Sequence, residues 1–164
     1  MLDEYIRSHG KRLYGLCLTL CADVHDAEDL YQDTWLKVLD NFNSYDNSKD
    51  FEPWLTQICV NIYRNGLRRL SRSPFISFKS NEAKDAAFAA IVAPKRRDYT
   101  DLYHAIDRLP EKLRITVILF YFRDMDIAFT ARVLRIPEGT VKSRLNKARK
   151  RLKEVLMDES DLQF

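Results

Sequence analysis

The chain has 164 residues, 46% hydrophobic and 31% charged, with a formal net charge of +3. That length accommodates one domain or two small ones, and no apolar run approaches the roughly 20 residues that span a bilayer. The start Met1-Leu2-Asp3-Glu4 is acidic, unlike a signal peptide, and three cysteines, an odd count, suit reduced thiols, so a cytoplasmic protein is expected. Only 4 Gly and 5 Pro are present, placed between periodic stretches, which favours an all-α fold. Charge is uneven. Residues 1–75 hold nine Lys/Arg and eleven Asp/Glu, whereas residues 138–153 hold seven Lys/Arg and a single acid, Glu138. An acidic first half and a basic segment near the end point to different partners for the two halves.

The first helix is expected over Leu2 to Leu20, with Tyr5, Ile6, Leu13, Tyr14, Leu16, Leu18 and Leu20 burying one broad side. Asp23-Val24-His25-Asp26 breaks it and offers N-caps. Cys17, Cys21 and His25 share helical spacing and could in principle hold a metal. No fourth ligand is near, so a buried-face explanation is preferred and no metal is expected.

A second helix is expected from about Ala27 to Asn41, burying Ala27, Leu30, Tyr31, Trp35, Val38, Leu39 and Phe42. Asp26, Glu28, Asp29, Gln32 and Asp33 give it an acidic side. The helix dipole accounts for the acids of the first turn, but Asp33 lies beyond its reach.

Residues 43–50 read as a polar loop containing Tyr45. A third helix starts near Phe51 or Pro53, as a first-turn proline allows, and reaches about Leu70. Gln57, Asn61, Arg64, Asn65, Arg68 and Arg72 recur at three- and four-residue spacing and form one face. Trp54, Leu55, Ile58 and Ile62 are expected on the other, with Trp54 as core. A face of amides and guanidiniums suits nucleic acid, because amides pair with base edges and arginine grips phosphate. Aromatics beside it, such as Tyr45, could stack unpaired bases.

Residues 71–95 lose periodicity and read as a flexible linker with a transient helix around 82–91. A second domain then begins near Tyr99. It holds a helix to Leu109, another from Pro110 to Phe122, and a short one over Asp126–Leu134 with Ile127, Ala131 and Leu134 facing inward. Arg135-Ile136-Pro137 joins this to a last helix, whose buried stripe is Val141, Leu145, Ala148 and Leu152. Lys142, Ser143, Asn146, Lys147, Lys150 and Lys153 project the other way. Two helices across so short a turn form a helix-turn-helix, with the second as reader of the major groove.

These runs, in this order, resemble a bacterial RNA polymerase sigma factor of the extracytoplasmic-function class. Asp26-Ala27-Glu28-Asp29-Leu30-Tyr31-Gln32-Asp33-Thr34-Trp35 is similar to the clamp-binding helix of the family's second region. The run from Phe51 to Asn61 resembles its promoter-melting helix. Leu109-Pro110-Glu111-Lys112-Leu113-Arg114 and Gly139-Thr140-Val141-Lys142-Ser143-Arg144-Leu145 resemble its fourth region. The resemblance implies two small helical domains, 1–72 and 99–164, joined by a linker, 73–98.

It also implies roles. Asp29, Gln32 and Asp33 would bind the coiled coil of the polymerase beta-prime subunit, and the fourth region would meet the beta flap. Tyr45 with its loop, Gln57, Asn61, Arg64, Asn65 and Arg68 would recognise and open the minus-ten element. Lys142, Ser143, Asn146 and Lys147 would read the minus-thirty-five element, with Thr140, Arg144 and Arg149 on phosphates. An anti-sigma factor, commonly membrane-anchored in this class, would be a further partner. Neither catalytic residues nor a cofactor is implied. One departure stands out: Ala128, Phe129 and Thr130 replace a usual Glu pair and Ile, which alters the exposed face of the short helix and leaves its core positions Ala131 and Leu134 intact.

The competing class is a stand-alone helix-turn-helix regulator. It would account for residues 99–157 but would leave the acidic helix and the amide face idle. No carboxylate pair, nucleophile constellation or Gly-rich phosphate loop supports an enzyme.

Overall fold

The computed structural model describes residues 1–21, 23–70 and 100–161, and every regular element among them is helical. The chain divides into two compact units, Met1–Ala93 and Pro94–Phe164. The expected linker 73–98, its helix over 82–91, and Arg72 lie outside the described residues.

In the first unit, α1 spans Leu2–Leu20, α2 Val24–Asn41 and α3 Phe51–Leu70, with a 3-10 turn at Phe42–Ser44. Helix α1 ends where Cys21 turns to extended backbone, its N–H still donating to the Cys17 carbonyl at 2.9 Å. Helix α2 begins at Val24, three residues before the expected Ala27. Asp23 is its N-cap and its side chain accepts from the Asp26 N–H at 3.0 Å, which satisfies an otherwise orphaned donor. Helix α2 packs on both α1 and α3. Leu13, Leu16, Cys17, Leu20, Ala27, Leu30, Val38, Leu55, Cys59 and Val60 form the buried centre. Gly10 lets α2 approach α1: a Cβ there would sit 2.9 Å from the Tyr31 hydroxyl.

Leu39 departs from expectation. It is 57% exposed, and Leu36 beside it is 60% exposed. With α1 and α3 both already packed on α2, the buried stripe ends at Val38 and the face carrying these leucines meets neither neighbour.

In the second unit, α4 spans Thr100–Asp107, α5 Glu111–Val117, α6 Ile127–Leu134 and α7 Glu138–Asp161. Helix α5 does not run evenly to Phe122; it widens into a π-helical turn over Ile118–Phe122. Asp124 follows in left-handed backbone, φ 51°. Ile106, Leu109, Leu113, Val117, Ala131, Val141, Leu145 and Ala148 make one core, each large side chain contributing about 1.5–3 kcal/mol. Arg114 is 5% exposed and carries its charge into this unit. It is paired with Asp107 at 3.6 Å and Glu111 at 3.4 Å, as a buried guanidinium requires.

The helix-turn-helix is built from α6 and α7. The Asp126 carboxylate accepts from the Phe129 N–H at 2.6 Å and starts α6. Arg135 ends it in left-handed backbone, φ 56°, while the Ile136 N–H donates to the Ala131 carbonyl at 3.0 Å. The turn therefore lies at Arg135, and Gly139 sits inside the first turn of α7. That helix starts at Glu138, with the Pro137 carbonyl accepting from Thr140 and Val141.

Contrary to expectation, the atypical segment of α6 does not lie wholly on the exposed face: Ala128 is exposed, Phe129 is half-buried, and Thr130 is fully buried with a hydroxyl that has no hydrogen-bond partner. An unpaired buried hydroxyl costs on the order of 1–3 kcal/mol. Thr130→Val is therefore expected to stabilise the second unit by about 1 kcal/mol, read as a higher urea midpoint at constant slope. A lower midpoint would mean that the hydroxyl is satisfied in solution.

Candidate nucleic-acid interface

Helix α3 turns about 100° per residue, which gathers Gln57, Asn61, Arg64, Asn65 and Arg68 on one side. Asn65 and Arg68 are exposed, and Gln57, Asn61 and Arg64 are half-buried. The residues that face inward are Phe51, Leu55, Thr56, Cys59 and Val60. Trp54, Ile58 and Ile62 are half-buried rather than core. Trp54 lies one turn before Gln57, so it belongs to the amide side, and the expectation of a core tryptophan is corrected. The buried tryptophan is Trp35 on α2.

Trp54 closes an aromatic cluster at the start of α3. Its ring lies 4.9 Å from Tyr45 and 5.6 Å from Phe51, and Phe51 lies 4.3 Å from Tyr5 on α1. Tyr45 also meets Phe51 edge-on at 5.3 Å and bonds through its hydroxyl to the Lys49 carbonyl. Tyr45 is thus half-buried and held by neighbours on several sides. Burial pushes its phenol pKa up, and Tyr5, Asp50 and Asp46 push in the same direction. In the loop beside it, Asp46 accepts from the Ser48 hydroxyl at 2.7 Å and the Ser48 N–H at 3.0 Å. These bonds, with Lys49 nearby, hold its carboxyl below the usual range. Glu52, in the first turn of α3, pairs with His9 at 2.6 Å and Arg12 at 3.7 Å, fastening the start of this helix to α1.

On α2, Asp29, Gln32 and Asp33 are all exposed and share one side with Leu36. This side of α2 therefore carries two acids, an amide and a leucine that is 60% exposed. Cys17 and Cys21 point into the core, with Cys17 Sγ 3.9 Å from Cys59 Sγ, whereas His25 is exposed. The three do not converge, and among the described residues no group of His, Cys, Asp or Glu has the geometry of a metal site.

On α7, Val141, Leu145 and Ala148 are buried, and Lys142, Ser143, Asn146, Lys147 and Arg149 are exposed. Thr140 and Arg144 flank the buried stripe and are half-buried. The Ser143 hydroxyl donates to the Thr140 carbonyl at 3.2 Å. Arg149 donates through Nε to the Tyr121 hydroxyl at 2.6 Å and through Nη1 to Asn146 Oδ1 at 3.2 Å. Sequence reasoning overlooked Tyr121. The signal was an aromatic run, Phe120-Tyr121-Phe122, at a helix end, where the change from α to π winding over Ile118–Phe122 alters which ring a 100° period would turn outward.

Residues 5–73 match the Sigma-70 region 2 family and residues 99–152 the Sigma-70 region 4 family. The chain is 31% identical to the ECF RNA polymerase sigma factor SigE of Mycolicibacterium smegmatis over 162 residues, 96% of this chain and 62% of that protein. It therefore spans less than two thirds of that relative's length. It is 30% identical to the ECF RNA polymerase sigma factor SigM of Mycobacterium tuberculosis (strain H37Rv) over 154 residues, 94% of this chain and 76% of that one. In fold it is similar to the sigma factor RpoE solved with the anti-sigma factor NepR from Bartonella quintana. The TM-score is 0.76 at 24% identity, over 95% of this chain and 96% of that one. The ordered pair of region 2 and region 4, together with these relatives, places the chain in the ECF family of RNA polymerase sigma factors.

Proposed function

We propose that this chain binds core RNA polymerase in the cytoplasm and directs promoter-specific initiation, while the polymerase supplies the chemistry. Residues 1–72 bind the core enzyme and open the minus-ten element, residues 99–164 read the minus-thirty-five element, and residues 73–98 connect them. The observation that carries the reading is one chain holding three distinct polar faces, two exposed and one part-exposed. These are an acidic face with an open leucine on α2, an amide and guanidinium face on α3, and a lysine-rich face on a helix-turn-helix reader. A stand-alone duplex regulator needs only the third.

In this reading Asp29, Gln32 and Asp33 meet the beta-prime coiled coil, with Leu36 adding apolar contact, and the second unit meets the beta flap. Gln57, Asn61, Arg64, Asn65 and Arg68 face the opened minus-ten strand. Tyr45 and Trp54 support the loop that receives an unpaired base. Lys142, Ser143, Asn146 and Lys147 enter the upstream major groove, and Thr140, Arg144 and Arg149 approach its phosphates. An anti-sigma factor, such as the one the Bartonella quintana relative is solved with, would compete for these faces.

Pull-down of core polymerase followed by promoter-dependent run-off transcription tests the reading. Asp33→Arg reverses a charge at the centre of the α2 face. It is expected to weaken core binding about tenfold or more, the effect of an unfavourable charge at an interface, with helix content unchanged. Wild-type affinity in this variant would remove α2 from the polymerase contact.

A further inference from the structure

Tyr121 sits on the π-helical turn Ile118–Phe122 and is half exposed. Its hydroxyl oxygen accepts from Arg149 Nε at 2.6 Å, and the same guanidinium lies over its ring, 5.6 Å from the centroid. Two contacts therefore fix one arginine of the reader helix from outside that helix. The fixed guanidinium then donates through Nη1 to Asn146 Oδ1 at 3.2 Å. Asn146 is exposed on the same helix, one turn before Arg149.

The consequence lies in the Asn146 amide. A side-chain amide has one acceptor end and one donor end. Paired adenine is read by both ends together, Oδ1 accepting from N6–H and Nδ2 donating to N7, whereas guanine offers two acceptors, N7 and O6. With Oδ1 turned back to Arg149, the amide presents its Nδ2 donors outward. An outward face of donors matches guanine, whereas adenine also needs Oδ1 in the groove, and the Arg149 bond holds Oδ1 along the helix instead.

We propose that Tyr121 is a specificity-determining positioning residue: through Arg149 it turns the Asn146 amide donor-outward, so that the reader helix selects guanine over adenine at the base pair facing Asn146. This rests on the duplex-reading role proposed for residues 99–164. Tyr121 itself reaches no base; the relay acts through the two side chains it orders.

The test uses holoenzyme, the full chain with core polymerase, and a linear duplex library randomised across the upstream element. The position that Asn146→Ala flattens is the one Asn146 reads. Wild-type holoenzyme is expected to prefer guanine there. Tyr121→Phe keeps the ring but removes the acceptor oxygen; it should cut the guanine-over-adenine preference about fivefold, the scale of one exposed hydrogen bond. Other positions, the melting temperature and the salt dependence should stay as in wild type, since no charge is removed. Arg149→Ala should produce the same loss of guanine preference at that position, added to the even weakening and smaller salt slope expected from its phosphate contact. In the Asn146→Ala background, Tyr121→Phe should change nothing further. Unchanged preference or an even loss across all positions in Tyr121→Phe, an adenine preference in the wild type, or additive effects in the double variant would each overturn the relay. A wild-type holoenzyme that enriches no upstream motif, or one that Asn146→Ala leaves intact, would instead overturn the assignment of α7, or of Asn146, as reader, and the relay with it.

Discussion

Replacing Asn61 and Asn65 together by alanine is expected to leave core-polymerase binding and closed-complex formation as in wild type and to impair strand opening. The two amides lie four residues apart on α3, hence on one side, beside Gln57 and Arg64 and two and three turns beyond Trp54. Unpaired bases expose hydrogen-bonding edges and ring faces that duplex DNA conceals, and amides flanked by aromatics match both. Each lost base contact costs about 1–3 kcal/mol, so the open-complex population should fall about a hundredfold. Permanganate reactivity of thymines in the minus-ten region reads this directly. Because α2 and the reader helix are untouched, the closed complex provides the internal control. Wild-type reactivity in the double variant would show that this face does not hold the melted strand.

Leu145→Ala carries the largest expected effect on stability. Leu145 is buried at the centre of the second unit's core, among Leu113, Val117, Ala131, Val141 and Ala148. Truncation removes transfer free energy and leaves a cavity, together about 2–5 kcal/mol. A domain of this size has about 5–15 kcal/mol in total, so its melting temperature should fall by about 10 °C or more. The chain's 2 tryptophans, Trp35 and Trp54, both belong to the first unit. Tryptophan fluorescence should therefore melt as in wild type while a separate far-ultraviolet circular dichroism transition moves down. Upstream duplex binding should be lost at the temperature where that second transition completes. A tryptophan transition that shifts in parallel would mean that the two units unfold as one.

Much of this was legible in the residues. Helix α1 has the expected limits Leu2 and Leu20, and α3 starts at Phe51, the earlier of the two expected starts, and ends at Leu70, because first-turn acids, a first-turn proline and apolar periodicity are local signals. The buried stripe of α7 was legible for the same reason: Val141, Leu145 and Ala148 recur at the helical period and are all buried. The ordered motifs also carried the family.

Other features depended on partners that periodicity does not name. Leu39 fits the apolar period of α2 yet lies open, because burial requires a neighbouring element and α1 and α3 cover other sides. Trp54 reads as core by type, but its position in the turn count places it beside Gln57, where Tyr45 and Phe51 cover only part of the ring. The turn of the helix-turn-helix falls at Arg135, a residue without glycine's freedom, because hydrogen bonds from its own and the next residue's N–H hold it in left-handed backbone. Tyr121 became visible only when the π-helical turn set its direction, 28 residues in sequence from the arginine it holds. The sequence by itself determined which segments are helical and which faces carry charge and amide, since those depend on residue type at fixed spacing. Tertiary structure decided which apolar residues are covered and which side chains are held by distant ones, because both depend on where another element comes to rest.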